Sequence, residues 1–248
     1  MEPPELFQLA GHPVRWSLLS ELARSDRTVQ ELTGLVGEAQ NLVSYHLGKL
    51  RDSGLVSTRR SSADGRDAYY SADLARFGDL LSSTVGSLHP GLRVVPRPGV
   101  EGTSGPVRVL FLCTGNSARS QIAEALVRQR SGGTIEVSSA GSHPKPMHRN
   151  TLRILREVLG VDPAEYEPKH LDWLADQPFD WVISLCDKVR EVCPELPGDP
   201  ETVHWSIPDP STVSGDHASW KAFQALTAEL EMRIGFLLAV VAETAPAT

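Results

Sequence analysis

The stretch VRVLFLCTGNSARSQIAEAL, residues 107–126, decides the fold of the larger part of this chain. Its first seven residues read as a buried strand that ends on Cys113, and the segment from Ser120 onward reads as a helix. Working toward the C-terminus, TIEVSSAG (134–141) reads as a second strand and RNTLRILREVLG (149–160) as a second helix. FDWVISLC (179–186) and ETVHWSIPDP (201–210) follow as strands, and residues 218–243 as a long closing helix. Strands alternating with helices imply parallel strands and crossover helices, hence an α/β doubly wound sheet. Ligands of such sheets bind beyond the carboxyl ends of the strands, where Cys113 stands.

The residues around Cys113 supply a chemistry. Thr114, Gly115, Asn116, Ser117 and Ala118 separate it from Arg119, just enough chain to curl around a tetrahedral oxyanion. Gly115 and Asn116 tolerate φ > 0, so successive amides can point inward as a nest. The following helix aims its positive end at the same spot, and Arg119 can grip two oxygens at once. Such surroundings favour a thiolate at Cys113, and Ser120 is placed to donate a further hydrogen bond. The expectation is a nucleophilic cysteine facing an oxyanion bound by residues 114–119.

Working toward the N-terminus, nine of the 21 residues 86–106 are Gly or Pro, which marks an interdomain linker. Domains 1–85 and 107–248 are expected on either side. Before the linker, VRWSLLSELARS (14–25), TVQELTGLVG (28–37) and EAQNLVSYHLGKLRDSG (38–54) carry helical periodicity. LVSTRR, SSADGR and DAYYSAD (55–73) then read as strand, turn and strand, with Asp64-Gly65 as the hairpin signal. Two tightly joined short helices followed by a hairpin make a mainly α winged helix-turn-helix. Lys49, Arg51, Arg59, Arg60 and Arg66 outweigh Asp52 and Asp64, the local balance a phosphate-facing edge needs.

The chain as a whole carries net charge −7, which argues against nonspecific nucleic-acid binding by its entire surface. The beginning of the sequence does not read as a signal peptide, and the longest apolar run, FLLAVVA (236–242), is too short to span a bilayer. Three cysteines cannot build a disulfide framework, so a reducing cytoplasm is the expected compartment.

Residues 4–81 resemble the ArsR-type repressors, most specifically through SYHLGKLRDSGLV (44–56). That resemblance places the helix 38–54 in the major groove, with Gln40, Asn41, Ser44, Tyr45 and His46 as contacts. Lys49, Arg59, Arg60 and Arg66 face phosphate, and operator DNA is the partner. All three cysteines lie beyond the linker, so this half has no thiol site of its own. His46 and His89 match metal-ligand types found elsewhere in the range of that family, but a lone histidine on a binding helix is more often a polar contact, and no metal is expected. ArsR-type domains dimerise through their terminal helices, so DLARFGDLLSSTVGSL (73–88) is expected to contribute to a homodimer.

Residues 107–242 resemble the low-molecular-weight tyrosine phosphatases and the arsenate reductases built on the same fold. Both share a C-x5-R-S loop and a late Asp-Pro, here Asp209 in SIPDPS (206–211), as general acid. The reductase resemblance implies a relay. Cys113 attacks arsenate, Cys186 attacks Cys113 and expels arsenite, Cys193 attacks Cys186, and thioredoxin reduces the resulting disulfide. Some reductases of this group bind potassium. Asn116, Glu124 and Ser139 match three of those positions, whereas EYEPKHLDWL (165–174) departs from the pattern, and no tightly bound cofactor is expected. Arsenate reductase fused to a regulator is thus the leading expectation, the DNA-binding half reporting what the reductase site holds. A phosphatase with a DNA-binding appendage and a non-catalytic oxyanion-sensing regulator are the alternatives.

Overall fold

A computed structural model describes residues 4–88, 107–193 and 196–244. The chain divides into two compact units, Met1–Pro98 and Gly99–Thr248, each built on its own core.

The first unit runs α1 (Glu5–Ala10), α2 (Pro13–Arg24), β1 (Arg27–Thr28), α3 (Val29–Val36), α4 (Gln40–Asp52), β2 (Val56–Arg60), β3 (Ala68–Ala72) and α5 (Leu74–Leu88). Local chemistry sets several of these ends. Pro13 opens α2, and the His12 ring accepts the Val14 amide. Thr28 and Glu31 close a capping box on α3: Glu31 accepts the Thr28 amide at 2.7 Å, and the Thr28 hydroxyl accepts the Glu31 amide at 3.3 Å. Gly37, at φ 72°, ends the helix in the left-handed region. Leu18, Leu32, Leu47, Leu50 and Leu55 are fully buried between the helices and the wing.

The strands form an antiparallel sheet of order β1-β3-β2, in which Arg27 pairs with Tyr70. β1 has only two residues, too few for any periodicity, and the sequence reading does not include it. Gly65 does not take a positive φ. The wing turn is therefore a wider loop, held by Ser61 Oγ accepting the amides of Ala63 and Asp64. The helix α5 continues through Leu88, three residues into the segment read as linker. Residues 89–106, His89 among them, lie outside the described residues.

The second unit runs β4 (Val107–Cys113), α6 (Arg119–Arg130), β5 (Ile135–Gly141), α7 (Arg149–Arg153), β6 (Trp181–Ser184), α8 (Asp187–Val192), β7 (Glu201–His204) and α9 (Asp216–Thr244). α7 passes directly into a π-helical turn over Ile154–Val158. All four strands are parallel, in the order β5-β4-β6-β7. Val109–Cys113 are buried throughout, because helices cover both faces of a parallel sheet. From β4 the chain goes first to one side, to β5, and then crosses to the other, to β6. The carboxyl end of β4 is therefore the topological switch point, where the two crossovers diverge and leave a crevice. Cys113 is its last residue.

Candidate active site

The loop after Cys113 is shaped by one left-handed residue. Asn116 has φ 42°, and Gly115 is not among the residues with positive φ, so only one of the two expected positions carries the bend. A non-glycine residue in this region needs local support, and Asn116 has it. Its Oδ1 accepts the Lys169 amide at 2.7 Å and Gln121 Nε2 at 3.0 Å. Its Nδ2 donates to Ser120 Oγ at 2.9 Å and to Ser139 Oγ at 2.8 Å. The side chain is thus a buried brace for the loop, and what remains of Asn116 to face an oxyanion is its backbone N–H.

Loop carbonyls are bound outward. Thr114 O accepts the His143 amide at 2.8 Å, Gly115 O the Lys145 amide at 2.9 Å, and Ser117 O the His148 amide at 3.1 Å. In a trans peptide the N–H lies opposite the C=O. The amides of Gly115, Asn116 and Ala118 therefore turn away from that segment, into the ring of the loop. Gly141, the last residue of β5, makes the approach possible. A Cβ there would stand 2.7 Å from Thr114 O, 2.8 Å from Asn116 N and 2.9 Å from Cys113 O. The sequence reading passed over Gly141, although a glycine at the end of a strand beside such a loop is a signal of close backbone approach.

Cys113 is buried, and its sulfur lies 3.0 Å from Ser120 Oγ. With Asn116 Nδ2 filling one lone pair of that hydroxyl, the Ser120 O–H is available to the sulfur. Arg119 is also buried. It donates through Nη1 to Ile207 O and through Nη2 to Asp209 Oδ2, both at 2.9 Å. Its Nε, equally buried, has no hydrogen-bond partner among the described residues. An orphaned guanidinium N–H costs free energy unless something accepts from it, and a bound oxyanion would supply the acceptor.

Asp209 caps a short turn, accepting the Ser211 amide at 3.0 Å and its hydroxyl at 2.7 Å. Burial pushes the carboxyl up, but Arg119, both Ser211 bonds and the charge of Lys145 together hold it below the ordinary carboxylate range. These contacts favour the carboxylate form of the group. An oxyanion that takes over Arg119 removes its main stabiliser and adds negative charge nearby, and both effects favour protonation.

Cys186 stands one residue beyond the end of β6, separated from it by Leu185, and immediately precedes α8. Ser184 pairs with His204, Leu112 pairs with Ser184, and the Leu185 amide donates to Leu112 O at 2.7 Å. Cys113 and Cys186 therefore leave adjacent parallel strands side by side. The Cys186 sulfur is 3.2 Å from Thr114 Oγ1, on the residue next to Cys113. Cys193 follows the last residue of α8, half-buried, and burial pushes its thiol up. None of the three thiols is in a disulfide.

The positions matched to potassium ligands are engaged with one another and with basic side chains. Glu124 is met by Arg128 at 2.6 Å and by the Lys169 ammonium at 3.8 Å, and both ends of the Asn116 amide are committed. Among the described residues there is no group of three or more His, Cys, Asp or Glu side chains able to hold a metal ion. No helix among them is long and apolar enough to cross a membrane.

In the first unit, Gln40, Asn41, Ser44, Tyr45 and Lys49 are exposed along one face of α4, with Lys49 Nζ 5.7 Å from the Tyr45 ring. His46 is not on that face. It is 4% exposed and its ring lies 4.3 Å from that of His12, because the helical turn points it inward between Val43 and Leu50. On the wing, Arg60 is exposed and Arg59 half-buried, while Arg66 is paired with Asp64 at 2.7 Å. Hydrogen bonds from Arg66 lower the Asp64 carboxyl to about 2.

Residues 108–247 match the low molecular weight phosphotyrosine protein phosphatase family. The chain belongs to that family. Residues 12–58 match the arsR family of bacterial regulatory proteins, so the molecule is a fusion of the two. It is 35% identical over 127 residues to an arsenate reductase of Halalkalibacterium halodurans, covering 51% of this chain and 91% of that one. The figures for an arsenate reductase of Bacillus subtilis are 32% over 127 residues, with the same coverages. A solved arsenate reductase from Archaeoglobus fulgidus is 28% identical, covers 52% of this chain and 98% of its own, and superposes with a TM-score of 0.44.

Proposed function

We propose that the chain is an arsenate reductase joined to an operator-binding regulator domain, with thioredoxin as the source of electrons. The observation that carries this reading is the place of the second thiol. Phosphoryl transfer through Cys113, Arg119 and Asp209 needs no second cysteine, yet Cys186 Sγ sits 3.2 Å from Thr114 Oγ1 against the oxyanion loop.

The steps balance as follows. The Cys113 thiolate attacks arsenic(V) held by the loop amides and Arg119, and Asp209 gives its proton to the departing oxygen, which leaves as water. Cys186 then attacks the Cys113 sulfur. The electron pair of the S–As bond passes to arsenic, which leaves as arsenite, and a Cys113–Cys186 disulfide remains. Cys193 attacks Cys186, returning Cys113 as thiolate and leaving a Cys186–Cys193 disulfide for thioredoxin. Two thiols are oxidised for each arsenic(V) reduced.

The last exchange needs a change of shape. Helix α8 spans the six residues between the two cysteines, which at 1.5 Å per residue holds their Cα atoms about 10 Å apart. A disulfide requires a separation below about 7 Å, so α8 unwinds to form it. Unwinding also exposes Cys193, removing the burial that keeps it protonated.

On the DNA side, the exposed face of α4 and the wing arginines are read as the operator contacts, with a homodimer presenting two such helices to a two-fold site. The deciding measurement is arsenate-dependent NADPH oxidation with thioredoxin and thioredoxin reductase. The parent chain turns over, and Cys186→Ser and Cys193→Ser do not. No arsenite from the fully reduced parent overturns the reading. Hydrolysis of a phosphate monoester that survives both replacements would instead make the second unit a phosphatase.

A further inference from the structure

Four buried side chains near Cys186 have no part in the steps above. Ser184 and His204 end the adjacent strands β6 and β7 at the same register, with Ser184 Oγ 2.8 Å from His204 Nδ1. His204 Nε2 lies 3.1 Å from Asp187 Oδ1, and the Ser206 hydroxyl donates to that same oxygen at 2.6 Å. None of the four is more than 7% exposed. Burying a carboxyl group in a core is costly unless it is hydrogen-bonded, and such a network confers geometry more than net stability.

The position of that oxygen is the informative point. Asp187 follows Cys186 and is the first residue of α8. Ser206 precedes Ile207, whose carbonyl holds Arg119, and lies three residues before Asp209. We infer that Asp187 is a positioning residue that ties the second thiol to the acid loop, so that the redox state of Cys186 and Cys193 governs oxyanion binding. In the reduced chain the tie holds α8 folded, with Cys186 beside Thr114 and Ile207 beneath Arg119. Pairing Cys186 with Cys193 unwinds α8 from its first turn and draws Asp187 away from His204 and Ser206. The 205–209 segment then loses its anchor, and Arg119 loses the acceptor that orients it. The oxidised chain therefore releases its oxyanion and rejects another until it is reduced. No reactant beyond the thiol exchange already described is required.

The inference rests on Cys186 and Cys193 pairing, and the experiment separates the two ideas. Inorganic phosphate is the probe, titrated into the full chain in its reduced form and after oxidation with diamide, the disulfide being located by peptide mass. Oxidation should weaken phosphate binding about tenfold or more, the weight of one buried hydrogen bond network end set free. Asp187→Ala in the reduced chain should reproduce that loss and speed amide hydrogen exchange in α8 and in 205–209, leaving β4 unchanged. Asp187→Asn, which keeps an acceptor oxygen, should restore most of the binding, and Ser206→Ala, a milder change, should fall between. Phosphate affinity unchanged in Asp187→Ala and Ser206→Ala overturns the tie. So does faster exchange spread through β4, which would mark general loosening. If diamide never joins Cys186 to Cys193, the relay reading fails, while the Asp187 variants still judge the tie on their own.

Discussion

At the scale of single residues, the site depends as much on what is missing as on what is present. Gly141 has no side chain, and the backbone of residues 113–116 runs through the space a Cβ would take. The three atoms it would meet are all backbone and all closer than 3 Å, so no rotamer change can make room. Gly141→Ala should push the loop off its outward carbonyl bonds and weaken phosphate binding by about a hundredfold, a loss like that of one or two oriented donors. Titration calorimetry checks this, and affinity within a factor of a few of the parent would show that the loop adapts. Asn116 makes the complementary point. Its type was legible as a residue that tolerates a positive φ, but its four side-chain bonds join residues 116, 120, 121, 139 and 169. No spacing along the sequence announces such a set. Asp209 is a third case, because Asp-Pro marks a turn and only the fold reveals that Arg119 holds the carboxyl in its ionised form.

At the scale of elements, the wing and α8 each hold a feature that composition alone misjudges. Counting charges gives the wing three arginines, yet Arg66 is occupied by Asp64, two residues away and bonded through both its backbone and its side chain. The phosphate-facing charge of the wing is accordingly smaller than the sequence suggests. Asp64→Asn should free Arg66, tighten DNA binding at low salt and steepen the slope of log affinity against log salt by about one. Fluorescence anisotropy across a salt series measures both, and an unchanged slope would show that Arg66 stays off the DNA. The periodicity of α4 was legible, and so was its polar face. His46 was assigned to that face from the motif, whereas 3.6 residues per turn brings it round to the same side as Val43 and Leu50. For α8 the sequence offered a pair of cysteines seven apart. The six-residue helix between them is what makes their pairing a conformational event.

At the scale of the whole molecule, two separate apolar clusters underlie the two units. Units with their own cores unfold as distinct cooperative transitions, so scanning calorimetry of the full chain should show two. Phosphate at about a hundred times its dissociation constant should stabilise the Gly99–Thr248 transition by about 2.7 kcal/mol. A matching rise in the other transition would measure the coupling that a regulator responsive to the oxyanion site requires, since linkage is reciprocal. A single merged transition would show that neither unit stands alone.

Hydrophobic periodicity, glycine and proline placement and one C-x5-R-S stretch determined the order of elements, the two fold classes and the placing of Cys113 and Arg119 at the two ends of one loop. Those signals are local, carried by residues within a few turns or one strand of each other, and the backbone obeys them wherever the rest of the chain lies. Strand order, by contrast, was decided only by tertiary structure. It set β4 between β5 and β6, and so brought Gly141, Cys186 and Ile207 to the same loop from residues as far as 94 positions away. The brace at Asn116, the resting ion pair of Arg119 with Asp209 and the Asp187 tie all depend on that convergence. Burial and hydrogen-bond satisfaction are properties of the packed chain, and they are what turn a legible motif into a working site.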